Sequence, residues 1–380
     1  MTQIKVDTVT NAAGTGNPDF ADGLTYEGSA TSTLNLCEYT SSASEPSSPK
    51  NGALWYDTAN SVTKIYVNSV WNELTAASSG SSAVWYGARG LYAGGTSSTS
   101  NQIEYISIDI SSNASDFGDL TVARGQMATA SNGTYATWAS GYEYGNNARS
   151  NVIDYVTVAT TGNASDFGDL IYNANATFGC GVGDGTYGFK WMGYQNSGWI
   201  NAIDYWTMDT PANATDFGDA TRAHGYTAGS SDGTYALIVG GFSGNDGEPY
   251  RRNNIDYFTT ATQGNASDFG NLTVARQNMG AVYDTTRSVF AGGWTGSESN
   301  VIDYVTTATT GNATDFGDLT TGEYPAGTSD GTYGCFATGT GLGANIHRIT
   351  IQTTGNATDT GYDLITSYSN GGAGVSGNAS

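Results

Sequence analysis

From residue 84 onward the chain is built of short runs in which apolar and polar residues alternate, each closed by Gly, Asn, Asp, Ser or Thr. VIDYVTVAT, starting at Val152, is one such run, and its period of two predicts a half-buried β-strand. GTYATWASGY, from Gly133 to Tyr142, instead places apolar or small residues at successive positions, as a strand buried on both faces requires. No heptad-like spacing and no stretch of 18 apolar residues occurs, so neither helical repeats nor a membrane-spanning helix is predicted.

The runs recur. NASDFGDL begins at Asn113, with close copies at Asn163, Asn213, Asn265 and Asn312 and a degenerate NATDTGYDL at Asn356. The intervals of 50, 50, 52, 47 and 44 residues exceed those of helical solenoids and sit near the period of four-stranded propeller blades. About ten residues before each copy stands a second marker: IEY at Ile103, IDY at Ile153, Ile203, Ile255 and Ile302, and HRI at His347. A third, Asn-Gly or Asp-Gly before Thr-Tyr, falls at Asn132, Asp184, Asp232 and Asp330, with Asp284-Thr285 replacing it once. These pairs predict type I′ hairpin turns with positive φ at both central residues. Each unit then reads strand, turn, strand, loop, strand, and a short last strand ending in DFGDL, which is one propeller blade.

The ends of the repeat region set the number of blades. Val84 to Gly95 matches a second strand with no first strand before it, and Tyr368 to Gly377 falls where a first strand belongs, after the last repeat. A C-terminal strand completing the first blade gives six blades and removes the open edges of a stack. The predicted fold class is therefore all-β: a six-bladed β-propeller with velcro closure over 81–380, after an extended arm at 1–44 and a small β-hairpin module at 45–80.

Composition agrees with this class. The 53 glycines against 6 prolines describe many tight turns. A formal charge of −22 opposes binding to a phosphate backbone, so nucleic acid is not an expected partner. Cys37, Cys180 and Cys335 are too few and too far apart for a disulfide framework or a zinc site. The first residues lack a basic n-region and an apolar h-region, so synthesis without Sec export is expected.

The Gly pairs at Gly94-Gly95, Gly240-Gly241 and Gly292-Gly293, followed 10, 16 and 11 residues later by the Tyr of the second marker, resemble the kelch family. Phe117, Phe167, Phe217, Phe269 and Phe316 stand where a kelch blade usually has Trp. The opening IKVDTVTNAAGTGNPDFADGLTY, the EPSSPKNGALWYDTANSVTKIYVNSVWNEL stretch from Glu45 to Leu74 and the IDYVTxATTGNATDFGDLT repeats are similar to structural and tail-fibre proteins of tailed phages, especially those of marine cyanobacteria. This resemblance implies a virion protein made in the host bacterial cytoplasm. It would be homo-oligomeric on the particle, held to other virion proteins through residues 1–80, and would present a propeller to a host-surface glycan or protein. Binding of the propeller to a neighbouring virion protein, and a capsid-decorating or tail-associated role without host contact, are the alternatives it leaves open.

Within the first 80 residues, Val6, Phe20, the Leu24-Thr25 pair, Trp55, Tyr56 and Trp71 are the docking candidates. Trp55 and Tyr56 lie on one arm of a predicted hairpin whose turn is Asp57 to Ser61 and whose return is Lys64 to Trp71. In the repeats, the loops between second and third strands differ most, as loops that carry binding do. Tyr144, Arg149, Trp199, Tyr250, Arg251 and Arg252 are the partner-binding candidates there, since aromatics and arginine dominate interface hot spots.

Catalytic signals are weak. His224 and His347 are the only histidines and read as incidental, too few for a copper-radical site, and no nucleophile elbow, P-loop or HExxH is present. DFG recurs without other kinase elements. Asp116, Asp119, Asp166 and Asp169 offer calcium-type oxygens at a spacing that matches no established loop, and an Asx turn with Phe inward and Gly at positive φ explains them better. The N-A-S/T triplets read as turn chemistry rather than glycosylation sites. No cofactor, no metal and no enzyme activity is expected; a polysaccharide-degrading propeller, with two carboxylates flanking a glycosidic bond, is the remaining catalytic alternative.

Overall fold

The computed structural model describes residues 24–25, 33–34, 39–49, 53–59, 62–67, 70–73, 86–95, 101–110, 112–172, 181–195, 197–244, 250–322, 324–337, 344–365 and 372–378. Among them the chain is all-β with no helix, as its pattern predicts. It divides into two compact units, Met1–Ser81 and Ser82–Ser380.

The first unit holds a four-stranded sheet in the order Tyr39–Ser42, Leu54–Asp57, Val62–Val67, Val70–Glu73. Its first pair is parallel and the others antiparallel. This corrects the simple hairpin. Val67 pairs with Val70, so the return doubles back and Trp71 lies on a further strand, while Tyr39–Ser42, within the expected arm, adds to the other edge. A two-stranded ribbon could not bury an indole, whereas four strands can. Trp55 is buried with its Nε1 donating to the Ser42 carbonyl at 3.0 Å, Trp71 meets it edge-on at 5.5 Å, and Lys64 lies over it while pairing with Asp57 at 2.9 Å.

The second unit contains six four-stranded antiparallel sheets, I to VI. Sheet I is Gly372–Gly377, Arg89–Gly94, Gln102–Ser107 and Ser115–Asp119, so a strand from the far end of the chain completes it, with Gly372 opposite Gly94. Sheet II is Ala128–Ser131, Tyr135–Ala139, Val152–Thr157 and Ser165–Asp169. Sheet III is Gly181–Gly183, Tyr187–Gln195, Gly198–Thr207 and Thr215–Asp219; sheet IV is Ala228–Ser231, Tyr235–Phe242, Arg251–Thr259 and Ser267–Asn271. Sheet V is Gly280–Tyr283, Arg287–Ala291, Val301–Thr306 and Thr314–Asp318; sheet VI is Ala326–Ser329, Tyr333–Ala337, Ala344–Thr350 and Thr358–Leu364.

The turns between first and second strands differ from type I′ in one respect. Positive φ falls on the glycines, Gly133, Gly185, Gly233 and Gly331, and not on the preceding Asn or Asp. That side chain instead accepts from the backbone two and three residues on: Asn132 Oδ1 from Thr134 and Tyr135 at 3.0 and 2.7 Å. Asp284 does the same for Thr286 and Arg287, which is how the unit without Asp-Gly keeps its turn.

The core lies between sheets. Six buried clusters each join consecutive sheets: Leu91 and Ile103 of I with Trp138 of II, Phe167 of II with Trp206 of III, Phe217 of III with Phe258 of IV, Phe269 of IV with Phe290 of V, Phe316 of V with Ile349 of VI, and Ile346 of VI with Ile106 of I. The first strands are short and made of small residues because they touch backbone to backbone. A Cβ on Gly183 would lie 2.1 Å from the Ser131 carbonyl oxygen.

A polar clasp repeats at the same boundaries and accounts for the N-A-S/T triplet. Asn163 Oδ1 accepts from the Asp119 amide at 3.1 Å, and the Ala164 amide donates back to the Asp119 carbonyl at 2.8 Å. Equivalent pairs link Asn213 to Asp169, Asn265 to Asp219, Asn312 to Asn271, Asn356 to Asp318, and Asn113 to Asp363. The DFG glycine is needed beneath this clasp: Gly118 has φ of +152°, and a Cβ there would stand 2.3 Å from the Gly162 carbonyl oxygen.

Candidate functional site

The connections between second and third strands, with the segments between sheets that carry Tyr226 and Tyr324, bring aromatic side chains from several sheets together. At or just past the end of four second strands stands a glycine followed by an aromatic residue, Gly141-Tyr142, Gly193-Tyr194, Gly241-Phe242 and Gly293-Trp294, and lone backbone bridges tie three of these residues, Tyr142, Phe242 and Trp294, to Gly125, Gly225 and Gln277. Tyr142 meets Tyr144 at 5.0 Å, Tyr194 meets Trp199 at 5.0 Å, and Trp199 packs edge-on to Tyr226 at 5.8 Å and Phe242 at 6.2 Å. Phe242 touches Tyr250 at 6.0 Å, and Trp294 stacks on Tyr324 at 6.0 Å. Burial, then the nearby Tyr226 and Tyr142 phenols, push the Tyr144 phenol up to about 12, so it remains a neutral donor at any ordinary pH.

Two arginines lie on this surface. The Arg149 guanidinium is 5.2 Å from the Tyr194 ring centre, a cation–π contact between sheets II and III. Arg251 stands opposite Phe242 in the strand pairing, close enough to Tyr324 to hold its phenol down against the larger upward effects of burial and Glu298. Arg251 Nε has no hydrogen-bond partner. Of the candidates read from sequence, Tyr144, Arg149, Trp199, Tyr250 and Arg251 therefore share one surface. Arg252 follows Arg251 on the strand, and alternation sends it to the other face. Tyr142, Tyr194, Tyr226, Phe242, Trp294 and Tyr324 belong to the surface too. The Gly-aromatic dipeptide at each second-strand end was the signal for four of them. Tyr226 is held at φ of +58°, a left-handed conformation rare for a bulky residue, at the place where Gln126 and Asn278 adopt the same backbone.

In the first unit, the docking candidates separate. Trp55 is spent on the core, Tyr56 and Trp71 are half-buried, and Leu24-Thr25 forms a two-residue pairing with Thr33-Leu34. Val6 and Phe20 lie outside the described residues.

The titratable groups buried in the second unit form a series of their own. The acidic middle residue of the second marker is buried in five sheets, Glu104, Asp154, Asp204, Asp256 and Asp303, and in sheet VI the buried His347 stands in its place, so the marker there is Ile346–Arg348 and not the HRI read from sequence. Each reaches the segment leaving the preceding sheet. Asp154 accepts from the Thr121 amide and hydroxyl at 3.1 and 2.6 Å and pairs with the fully buried Arg124 at 3.0 Å. Asp303 likewise takes Thr273 and Arg276, Asp256 takes the Thr221 hydroxyl, His347 takes Thr320, and Glu104 takes the Ile365 amide. The histidines thus have places in the repeat: His347 occupies the acid's position, and His224 occupies the arginine's, bonding the Gly240 carbonyl where Arg124 bonds that of Ser140.

Asp204 is the exception. Ile171 and Tyr172 replace the threonine, so among the described residues backbone amides are the nearby donors there, and the buried Lys190 supplies the cation from the neighbouring strand. Burial raises its carboxyl to about 6, against the opposing pull of Lys190. Burial also lifts the Cys335 thiol to about 12, so it is an unreactive thiol. In the DFG turns, Asp166 accepts from the Gly168 amide at 3.1 Å, the Asx bond expected of a turn, with Phe167 buried.

No protein-family model matches the chain, and no curated protein matches it significantly.

Proposed function

We propose that the second unit is a closed six-bladed propeller and that the protein is a virion structural component, a tail fibre or other appendage subunit, whose propeller binds a partner through the aromatic and arginine surface. The cyclic order of the contacts supports the propeller: clusters, clasps and buried acids all run from sheet I to sheet VI and then from VI to I. The observation that carries the binding role is the run of ring contacts from Tyr194 through Trp199 and Phe242 to Tyr250, which spans the second-to-third-strand connections of sheets III and IV, with Arg149 from the corresponding loop of sheet II lying over Tyr194. Core packing within a blade does not require rings at loop tips, and a rigid scaffold with aromatic loops is the arrangement of a recognition module. Glu104, Asp154, Asp256, Asp303 and His347 are engaged in joining sheets, which favours binding over catalysis. Placement on a virion rests on the resemblance of the first 80 residues and of the repeats to phage structural proteins.

Cryo-electron microscopy of particles from an infected host tests this. Density for a six-bladed disc on the tail or its appendages is expected. Density on the capsid surface, or a different blade number, overturns the corresponding part of the reading, and release of reducing ends from host polysaccharide by the purified protein overturns the non-catalytic part.

A further inference from the structure

We infer that a cleft where sheet VI meets sheet I binds a neutral polyhydroxylated ligand, the size of one or two sugar rings. The cleft lies at the strand ends opposite the aromatic loops, so the inference goes beyond the reading of that surface and does not depend on it.

The cleft follows from a departure in the last repeat. In sheets I to V the fourth strand carries the buried phenylalanine of DFG, edge-on to a third-strand tyrosine, as Phe117 is to Tyr105 at 6.0 Å and Phe316 to Tyr304 at 5.9 Å. Each of those phenylalanines belongs to the cluster that joins its sheet to the next. In sheet VI, Arg348 stands in the tyrosine's register and Thr360-Gly361-Tyr362 replaces Phe-Gly, with the Thr360 hydroxyl donating to the Ile346 carbonyl at 2.7 Å. The cluster joining VI to I accordingly contains no phenylalanine. At that boundary opens a cleft of about 480 Å³, inside the roughly 300 to 1,000 Å³ of small-molecule sites. Ile110 of the neighbouring sheet's turn lines it at φ of +45°, a strained conformation for a β-branched side chain. The same turn in the other sheets ends on Thr160, Thr210, Thr262, Thr309 or Thr353, and none of these has positive φ.

The lining sets the chemistry of the ligand. Thr350, Thr353, Thr354 and Thr358 are exposed along it, and their hydroxyls both donate and accept. The half-buried Arg348 lies over the Tyr333 ring at 4.8 Å and donates from Nη1 to the Asp109 carbonyl at 2.8 Å, which fixes its head and uses one of its donors. Unlike Arg251, it has no nitrogen that is both buried and without a partner. Asp359 accepts from the Gly361 amide at 2.9 Å through Oδ1, which leaves Oδ2 of an exposed carboxylate as an acceptor. Among the described residues, then, one cation and one carboxylate line the cleft. An anion would meet Asp359 and a cation would meet Arg348, whereas an uncharged ligand can use both as hydrogen-bond partners. Ile110, Ile349 and Tyr333 add apolar contact. A ring with hydroxyls at its rim and C–H bonds on its faces matches both parts of this lining, and a purely apolar ligand would bury the hydroxyls and charges without partners.

The test uses the full chain, titrated by NMR with glucose, galactose, mannose, maltose and lactose. Glucuronate, glucosamine and glutamine serve as anionic, cationic and zwitterionic controls. Saturable binding of at least one neutral sugar, with a dissociation constant on the order of 1 mM or tighter and below that of every control, is the expected result. Thr360→Phe returns the ring that the other sheets carry and should abolish binding by filling the cleft. Asp359→Asn keeps the acceptor for the Gly361 amide and should weaken binding on the order of tenfold, the loss of one charged contact. An unfolding midpoint no lower than the parent's shows that Thr360→Phe folds; where it is lower, Asp359→Asn and Arg348→Gln carry the test. Binding of no neutral sugar, equal binding of any control, or full affinity in the folded variants overturns the assignment. These substitutions leave the loop surface untouched, so that outcome leaves the proposed function standing.

Discussion

Two sheet boundaries occupy equivalent places in the repeat and solve the same electrostatic problem in opposite ways. Where sheet I meets sheet II, Asp154 is surrounded by donors: the Thr121 amide and hydroxyl and the Arg124 guanidinium, whose other N–H groups reach the Ser140 and Trp138 carbonyls. Where sheet II meets sheet III, Asp204 keeps the same depth but loses the threonine and the arginine, and burial prevails over Lys190. A repeat therefore preserves geometry more faithfully than energy. A buried charge is tolerated when its hydrogen bonds are complete and costs stability when they are not.

The largest effect should come from breaking the satisfied site. Asp154→Ala strands a buried guanidinium and should cost about 3 to 5 kcal/mol, read as a lowered denaturant midpoint at constant slope. A cost near zero would mean that Arg124 finds other partners. At the other boundary, replacing both charges together, Lys190→Met with Asp204→Leu, should leave stability unchanged or raise it by about 1 to 4 kcal/mol. The matching Arg124→Met, Asp154→Leu pair should destabilise, because three carbonyl and amide partners lose their bonds.

The pH dependence separates the two sites next. The native protein holds a proton on Asp204 more tightly than the unfolded chain does, so this group's contribution to stability is greatest in acid. It falls as pH rises from 3.8 to about 6, and the cost is complete above that. A shift of this size corresponds to about 2 to 3 kcal/mol. Carboxyl carbon NMR should find Asp204 titrating near 6, and a value near 4 would refute its isolation. Ile171→Thr should restore the missing hydroxyl, lower that value and add about 1 kcal/mol. The smallest effect is expected at the clasp, which both boundaries share: Asn163→Ala and Asn213→Ala should each cost about 1 kcal/mol, with no difference between them.

Much of this could be read in the chain. The alternation in VIDYVT gave the third strands, the DFGDL phrase the fourth, and the lone second strand before Gly95 foretold its distant partner at Gly372–Gly377. Those features are local or repeated, and repetition amplifies a weak signal. What escaped is what depends on neighbours across a boundary. The Asn of N-A-S/T reads as a turn residue until the amide of the preceding sheet is seen beside it, 44 residues away in the case of Asp119 and Asn163. His347 looks incidental until it is set in register with Asp154. The aromatic surface was legible for loop residues such as Trp199 but not for Tyr226, whose position follows from an unusual backbone conformation. In the first unit, Trp55 looked available because a hairpin has no inside, and the added strands gave it one.

The pairing of Arg89–Gly94 with Gly372–Gly377 has a consequence for biosynthesis. The strand that completes sheet I is translated roughly 280 residues after the strand it pairs with. At an elongation rate of about 5 to 20 residues per second, that edge waits roughly 15 to 60 seconds with its amides and carbonyls open. Nascent chains on one polysome would thus carry the same unfilled slot, and a neighbour's strand could enter it before the chain's own arrives.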